Sequence, residues 1–372
     1  MITVFLTMFG CATNPDLTAS GTPASTLEPT AETSRNALSF EDADEIVTEP
    51  GGARVSAGRL YYALGDGFAA PRGGALDDLV EVADVAEPFE AVPDRDADGE
   101  GDWLLYYNGL PYLYSQGEQI GGADATALPG NPVGYGVSSP EWTVVGGEGD
   151  AWVYASDDLT FTFPIAVIHT DFQDLNAAAG DIDGDGIADL VLQGSNPEGG
   201  PWFGGHVAVF SGDLAGEVVL DDAYASVSAV GTNGVGDLAG LADVDGDGYL
   251  DLGVDDSGLA VYCVHGGGDF DSQGPSIHVE DMQGARLLDF DGDGVVDVLG
   301  HDTSPTTAEP SGVFVAFGPL TIAPNRFGFT IRSDGNVLVA DVDEDGADDI
   351  LVDGESADEL GIFYGGANRR SY

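Results

Sequence analysis

The sequence has no lysine and only 10 basic residues, all of them arginine, against 66 acidic residues, so the formal net charge is −56 at pH 7. Such a surface repels phosphate backbones and anionic lipid headgroups, which disfavours nucleic-acid binding and electrostatic attachment to membranes. It also strains a compact fold by self-repulsion unless cations neutralise some carboxylates. A solvated acidic surface of the halophilic kind has the same net charge, and only the arrangement of the aspartates distinguishes the two.

Cysteines and long apolar runs are also scarce. Cys11 and Cys263 are the two cysteines of 372 residues, too few for a disulfide scaffold, so the fold needs another kind of crosslink. Cys263 lies in an apolar strand-like run and is interpreted as a core residue. The apolar run near the N-terminus, residues 2–9, is too short to span a bilayer, for which about 20 residues are needed.

The N-terminal segment has features of an export signal followed by a tether. The short apolar run ends at Gly10 and Cys11, and a small residue before cysteine resembles a bacterial lipoprotein signal, in which that cysteine is lipidated. Met8 and Phe9 depart from that pattern, and so does the lack of a basic leader. The following stretch is rich in Thr, Ser, Ala, Pro and Glu without periodicity, which predicts a disordered tether, although a frayed N-terminus has the same composition. We therefore expect an exported protein, secreted or displayed at the cell surface or outer membrane, with a signal or lipobox-like segment at 1–11, a tether at 12–37 and a folded domain at 38–372.

Glycine and hydrophobic residues bound the fold class. The 56 glycines weaken helix interiors but suit tight turns, bulges and hairpins. Hydrophobic residues make up 43% of the chain, enough for a substantial core. The composition therefore predicts an all-β fold with many short connections.

One aspartate pattern, Asp-x-Asp-x-Asp-Gly-x-x-Asp, recurs along the chain. Each copy is followed directly by an apolar strand-like run such as residues 189–192. Four copies are clean and a fifth, the first in the chain, is looser; they occupy residues 94–102, 181–189, 243–251, 289–297 and 341–349. A run of solvated Asp-Gly turns explains one such copy but not five in the same phase.

A second marker, an alternating aliphatic and aromatic run closed by glycine, gives the period of the repeat. These glycines stand at 65, 117, 212, 266, 318 and 365, and a degenerate copy at 151–156 fills the one double gap. Units of about fifty residues with several short strands are typical of propeller blades, and a closed ring protects every sheet edge. We therefore predict a seven-bladed β-propeller with blades near 38–75, 76–125, 126–168, 169–222, 223–275, 276–324 and 325–372.

The spacing of the aspartates indicates cation binding. In such a loop the carboxylates at positions one, three and five point inward, the glycine at six permits the sharp turn, and the carbonyl at seven adds a neutral oxygen. An aspartate at position nine completes a shell of hard oxygen donors, which suits Ca²⁺ better than zinc, copper or magnesium. An EF-hand is excluded, because position twelve is Leu192, Val254, Gly300 or Val352 in place of glutamate.

The pattern of the loop and its following strand resembles the FG-GAP repeat, also called the VCBS-type repeat, of integrin α-subunit β-propellers and bacterial surface proteins. The resemblance covers roughly residues 40–372 and is most specific in the last four units. It implies that each Ca²⁺ lies in a hairpin loop between the first two strands of a blade, on one rim of the ring. The units at 38–75 and 126–168 lack the aspartates, and we expect no ion there.

The resemblance implies four ions, and the looser copy a fifth. The residues assigned to them, with the residue at position seven contributing its carbonyl, are Asp181, Asp183, Asp185, Ile187 and Asp189; Asp243, Asp245, Asp247, Tyr249 and Asp251; Asp289, Asp291, Asp293, Val295 and Asp297; Asp341, Asp343, Asp345, Ala347 and Asp349; and Asp94, Asp96, Asp98, Glu100 and Asp102. Integrin function itself is not implied by so short a chain.

No catalytic motif stands out. The five histidines lack metalloprotease spacing, and no Gly-x-Ser-x-Gly elbow is present. The expectation is a monomeric, non-enzymatic surface module that binds a protein or glycan on the rim opposite the ions, with a membrane contact only through the N-terminal lipid. A polysaccharide lyase or glycosidase on the same scaffold and a passive spacer are the alternatives. Aromatic residues that could stack on sugars, although most are expected in the core, are Trp103, Tyr106, Tyr107, Tyr112, Tyr114, Trp142, Trp152 and Trp202.

Overall fold

The structure is a computed structural model of the 372-residue chain. It describes residues 37–48, 53–56, 59–64, 67–72, 75–83, 89–98, 101–107, 110–115, 118–123, 132–147, 149–170, 172–195, 205–228, 238–244, 247–255, 258–262, 264–265, 269–270, 277–280, 282–302, 312–318, 327–332, 337–343, 345–353 and 359–366. Cys11, Cys263 and the predicted signal and tether through residue 36 lie outside these ranges. Among the described residues no helix has the length and apolarity to cross a membrane.

Short strands and two 3₁₀ turns make up the regular structure of the described residues. The first half contains β1 (Ala37–Ser39), a 3₁₀ turn (Phe40–Asp42), β2 (Glu45–Thr48), β3 (Ala53–Ser56), β4 (Arg59–Leu64), β5 (Gly67–Arg72), β6 (Ala75–Ala83), β7 (Phe89–Val92), β8 (Asp102–Tyr107), β9 (Leu110–Ser115), β10 (Glu118–Gly122), β11 (Pro132–Ser138), β12 (Trp142–Gly147), β13 (Asp150–Ala155) and β14 (Ala166–His169). The second half contains β15 (Gln173–Gly180), β16 (Asp189–Ser195), β17 (Gly205–Phe210), β18 (Gly216–Val219), a 3₁₀ turn (Leu220–Asp222), β19 (Ala225–Ser228), β20 (Leu238–Ala242), β21 (Asp251–Asp255), β22 (Gly258–Tyr262), β23 (Val264–His265), β24 (Asp269–Phe270), β25 (Ile277–Glu280), β26 (Met282–Leu288), β27 (Asp297–Asp302), β28 (Val313–Ala316), β29 (Phe327–Arg332), β30 (Val337–Ala340), β31 (Asp349–Asp353) and β32 (Glu359–Phe363).

The strands form a β-propeller, as the composition and the repeat predicted. Consecutive strands make successive antiparallel sheets, and the first strand of each sheet lies against the first strand of a neighbouring sheet, as β7 does against β11 and β11 against β15. The ring closes where β3 contacts β30. Each sheet edge near the centre is therefore covered by the next sheet.

The prediction of a seven-bladed propeller with one blade per repeat is wrong. Among the described residues only five sheets are regular blades of four antiparallel strands. Two further sheets have five strands, because β1 joins β29 and β18 joins β14, each in parallel orientation. Glycine spacing counts repeats along the chain, but hydrogen bonds between distant segments decide to which sheet an outer strand belongs. β18, expected in the 169–222 blade, belongs to the sheet before it.

The two parallel strands belong to a structural motif that occurs twice. In segments 37–48 and 216–228 a short parallel strand leads into a 3₁₀ turn and then into the outer antiparallel strand of the next sheet. In the N-terminal copy that outer strand is β2, which pairs with β32 as the fourth strand of the last sheet. Strand β2 thus completes the last blade, although the sequence analysis placed its residues in the first.

The core lies between the sheets, and alternation along the middle strands fills it on both faces. In β16, Leu190, Val191 and Leu192 are all fully buried. Leu190 and Leu192 pack with residues of the 132–169 sheet, whereas Val191 packs with Leu252 and Val254 of the sheet on the other side. Because successive side chains of a strand point to opposite faces, a continuous apolar run is what such a doubly covered strand requires.

Three of the eight aromatic candidates for sugar stacking lie in this core. Trp103, Trp142 and Trp152 are each at most 2% exposed. The indole N–H of Trp142 donates a hydrogen bond to the Ala188 carbonyl at 3.2 Å, which ties two sheets together. Tyr112 and Tyr114 are half-buried, and Trp202 and the side chains of Tyr106 and Tyr107 lie outside the described part of the structure.

A histidine holds the fifth strand of the 132–169 sheet. The two ring nitrogens of His169 on β14 lie 2.8 Å from a carboxylate oxygen of Asp150 on β13 and 2.5 Å from one of Glu217 on β18. Hydrogen bonds to Glu217 and then Asp150 raise the pKa of His169. The protonated ring, which donates from both nitrogens, therefore bridges three strands.

This bridge predicts a pH-dependent contribution to stability. An unfolded histidine has a pKa near ~6.5, so the bridge stabilises fully below about pH 6.5 and loses its effect as the pH rises through the higher folded-state pKa. We expect His169→Gln to lower the thermal midpoint more at pH 6 than at pH 9. Glu217→Gln added to His169→Gln should cost little further at pH 6. Equal effects of His169→Gln at both pH values would contradict the prediction.

Candidate metal centres

All five aspartate loops occupy the same place in their sheets, the hairpin between the first and second strands. The ninth residue of every loop is the first residue of the second strand and pairs with the last residue of the first strand, as Asp189 pairs with Gly180 and Asp297 with Leu288. The same register holds for Asp102, Asp251 and Asp349. This is the position that the resemblance implied for the loops.

The carboxylate at position one organises the loop backbone. In the 289–297 loop, Asp289 Oδ1 accepts a hydrogen bond from Asp293 N–H at 3.1 Å, and Asp289 Oδ2 accepts one from Gly294 N–H at 2.9 Å. The loops beginning at Asp243 and Asp341 repeat both bonds. The glycine at position six has a positive φ, 77° in Gly294, a conformation that glycine alone adopts at little cost.

The carboxylate at position nine is the buried hub of each loop. Asp102, Asp189, Asp251, Asp297 and Asp349 all have 0% exposure. In each clean loop one oxygen accepts the N–H of position two, and in three loops the other oxygen accepts the N–H of the glycine that closes the third strand. This second bond gives a structural role to Gly212, Gly318 and Gly365, which the sequence had offered only as markers of the period.

Burial raises the pKa values of hub carboxylates, because desolvation disfavours their ionised form. Desolvation raises the pKa of Asp297 to about 7 and that of Asp349 to about 6, and it also raises the pKa values of Asp102 and Asp189. Neighbouring aspartates act in the same direction, because a second negative charge disfavours the ionised form. A cation among the carboxylates would reverse this effect.

The structure brings positions one, three and nine together. One carboxylate oxygen from each residue lies within 4.8 Å of the other two in the triads Asp94–Asp96–Asp102, Asp181–Asp183–Asp189, Asp289–Asp291–Asp297 and Asp341–Asp343–Asp349. The aspartates at position five do not join these triads; Asp185, Asp293 and Asp345 instead accept the N–H of position seven. Asp245 and Glu100 lie outside the described residues, so their loops are described only in part.

Two departures of the loop at 94–102 from the clean loops change its local structure. Position two, a buried apolar residue such as Ile182 elsewhere, is Arg95, whose guanidinium donates to the Ser139 carbonyl at 2.9 Å and to Thr143 Oγ1 at 3.0 Å. Position four is Ala97 with φ 63°, where three of the four clean loops have glycine. The arginine therefore anchors this loop to the next sheet in place of apolar packing.

A tyrosine reaches one triad from outside its loop. The hydroxyl of Tyr224, just before β19, donates to Asp189 Oδ2 at 2.9 Å. The raised pKa of Tyr224 follows from burial and from the nearby carboxylate of Asp189. No sequence signal predicts this contact, because Tyr224 lies 35 residues further along the chain.

The donors fit a hard divalent cation. Each triad offers carboxylate oxygens only, without sulfur or imidazole, and its hub carboxylate already has its backbone partners in place. Oxygen-only sets with several carboxylates are typical of Ca²⁺ sites in proteins. The described geometry is thus suited to hold an ion with little rearrangement of the loop.

Comparisons with known proteins give no family. No protein-family model matches the sequence, and no curated protein matches it. Solved structures that resemble the fold include BBS1N in complex with ARL6DN (9% identity, 86% of this chain and 95% of that chain, TM-score 0.48) and the WD40 β-propeller domain of Doa1 (12% identity, 89% and 98%, TM-score 0.46). With TM-scores below 0.5, these likenesses carry no conclusion about ligand or function.

The backbone of the first loop predicts a stabilising substitution. Ala97 has a left-handed conformation that costs a non-glycine residue about 1–2 kcal/mol, whereas glycine adopts it freely. We expect Ala97→Gly to raise the free energy of unfolding by about 0.5–1 kcal/mol, measured by denaturant melts. Ala91→Gly, in the adjacent strand β7, is the matched control and should destabilise. A loss of stability in Ala97→Gly would contradict the prediction.

Proposed function

We propose that the chain is a calcium-stabilised, exported β-propeller that acts as a binding module for an extracellular protein or glycan. The observation that carries the calcium part is the recurrence of one triad, with a fully buried hub, at the same register in four sheets. Solvated Asp-Gly turns would not bury the same carboxylate in every copy. The resemblance of these loops to the FG-GAP repeat supports the same assignment.

Electrostatics favours an ion at each triad. Three carboxylate oxygens within 4.8 Å of one another repel strongly, and the repulsion is greatest where the hub is removed from water. A divalent cation converts this repulsion into attraction and binds the folded loop in preference to the unfolded chain. It therefore contributes to stability by mass action, about 2.7 kcal/mol per site at a free concentration one hundred times the dissociation constant.

The proposed ligands are positions one, three and nine, completed by other oxygens of the loop. In the 341–349 loop these are Asp341, Asp343 and Asp349, with the carbonyl of Ala347 and, after a side-chain rotation, the carboxylate of Asp345. The other clean loops supply the equivalent atoms. The ion would crosslink the hairpin, which is the role that disulfides would have in a cysteine-rich protein.

The binding role rests on the scaffold and on the sequence. A propeller presents two broad rims, and binding sites of propellers are built from the loops there. The ions would stiffen one rim, which leaves the opposite rim for a protein or glycan ligand. Export rests on the N-terminal sequence alone, and the acidic surface disfavours nucleic acid as the partner.

The first test is a calorimetric calcium titration of residues 37–372 with thermal melts in calcium and in chelator. We expect four or five ions and a marked rise of the thermal midpoint in calcium. Asp343→Asn should remove one ion and part of that rise, whereas Asp213→Asn, an exposed residue outside the loops, should change neither. No calcium binding, together with melts unchanged by chelator, would show that the carboxylates form only a solvated acidic surface.

The second test addresses the ligand class. The calcium-loaded protein is applied to glycan and extracellular-protein arrays, and parallel samples are incubated with acidic and neutral polysaccharides in a reducing-sugar assay. A binding module should retain array ligands without releasing sugar ends. Polysaccharide turnover would contradict the binding function and indicate a lyase or glycosidase. Neither array binding nor sugar release would indicate a passive spacer.

A further inference from the structure

Two neighbouring aspartate loops are joined by hydrogen bonds. The backbone N–H of Asp289 donates to the carboxylate of Asp348 at 2.8 Å, and the N–H of Asp348 donates to the Asp289 carbonyl at 3.0 Å. A third bond, from Gly366 N–H to the Phe290 carbonyl at 2.8 Å, runs beside them. Asp289 is position one of its loop, and Asp348 is position eight of the next, adjacent to the hub Asp349.

A second pair of loops has the same arrangement with apolar contacts. The side chains of Tyr249 and Leu250, positions seven and eight of the 243–251 loop, lie against Gly184 and Gly180 at the 181–189 loop, where a Cβ would approach them to 2.4 and 2.7 Å. Positions seven and eight of one loop thus support the first part of the loop before it. Only at residue 348 is this supporting residue of a clean loop itself an aspartate.

We propose that Asp348 is a positioning residue that couples the two loops, so that a cation bound at 341–349 raises the affinity of 289–297 and the reverse. This inference rests on the proposed calcium binding. Asp348 is not one of the ligands in either loop. It acts through the backbone of Asp289, whose carboxylate is a ligand, and through its peptide bond to the hub Asp349.

Both backbone order and electrostatics favour positive coupling. A cation that fixes Asp349 also fixes Asp348, so the 289–297 loop gains a rigid partner for its first residue and has less conformational entropy left to lose. The Asp348 carboxylate, which accepts the hydrogen bond from the Asp289 N–H, adds a negative charge beside the first ligand of the 289–297 loop. A cation in either loop relieves this repulsion, and linkage makes the effect reciprocal.

The coupling is tested by hydrogen exchange across a calcium titration. Protection of peptides covering 289–297 gives the calcium midpoint of that loop, independent of any ligand-binding assay. Asp343→Asn disables the 341–349 loop and leaves both Asp348 and the 289–297 loop intact. We expect it to raise the calcium midpoint of 289–297 by at least about fivefold, the lower range of coupling between sites.

Asp348 itself is tested by adding a second substitution. In an Asp348→Ala background, which keeps the backbone bonds but loses the carboxylate, Asp343→Asn should move the midpoint of 289–297 by less than half as much, whereas an Asp348→Asn background, whose amide oxygen still accepts the Asp289 N–H, should keep more of the shift. Asp213→Ala is the matched control background and should keep the full shift. If Asp348→Ala does not fold, the comparison of Asp343→Asn with the unaltered chain still decides the coupling.

The possible failures are distinguishable. An unchanged midpoint of 289–297 in Asp343→Asn, with calcium still protecting that loop, would overturn the coupling and leave calcium binding in place. A full shift in the Asp348→Ala background would overturn the role of Asp348. Absence of calcium protection in every loop would overturn the proposed function itself.

Discussion

The buried aspartate at the ninth position of each loop is the interaction on which the blades depend. It opens the second strand, accepts the N–H of position two of its own loop, and in three sheets also accepts the N–H that ends the third strand. One side chain thus fixes the hairpin, its register and the neighbouring strand. An apolar residue could not replace it, because a carboxylate accepts several hydrogen bonds at once and an apolar group would leave those N–H groups unpaired.

The loops show how part of the acidic charge is accommodated in this fold. The carboxylates of the loops are not scattered over the surface; each set converges on one point at a sheet end, where backbone N–H groups partly offset its charge. Between the sheets the core is apolar on both faces of the middle strands, as Leu190 and Val191 show by packing in opposite directions. Charge and hydrophobic burial are therefore separated along each strand instead of competing at the same positions.

The sequence predicted the features of the fold that depend on composition, on the repeat or on residues close together in the chain. The place of the loops and the gathering of positions one, three and nine follow from residues within nine positions of one another, whereas the all-β class follows from composition and the propeller from the period of about fifty residues. It did not predict features that depend on distant segments. The number of regular blades was wrong because β1, β2 and β18 pair with strands from other repeats, and Tyr224 and Asp348 reach loops that no local spacing connects to them. The aspartates at position five were predicted as ligands but do not join the triads, because their carboxylates accept hydrogen bonds from the N–H groups of position seven.

The pairing of β2 with β32 has a consequence for biogenesis. The N-terminal strand leaves the ribosome first, yet the edge against which it pairs is made about 310 residues later, at a synthesis rate of roughly 5–20 residues per second. For that interval the strand carries unpaired backbone groups, and loop closure over such a distance is slow. The ring is therefore sealed only once β32 has been made, which makes the last blade the latest to mature and the one where partially folded chains would expose an edge to one another.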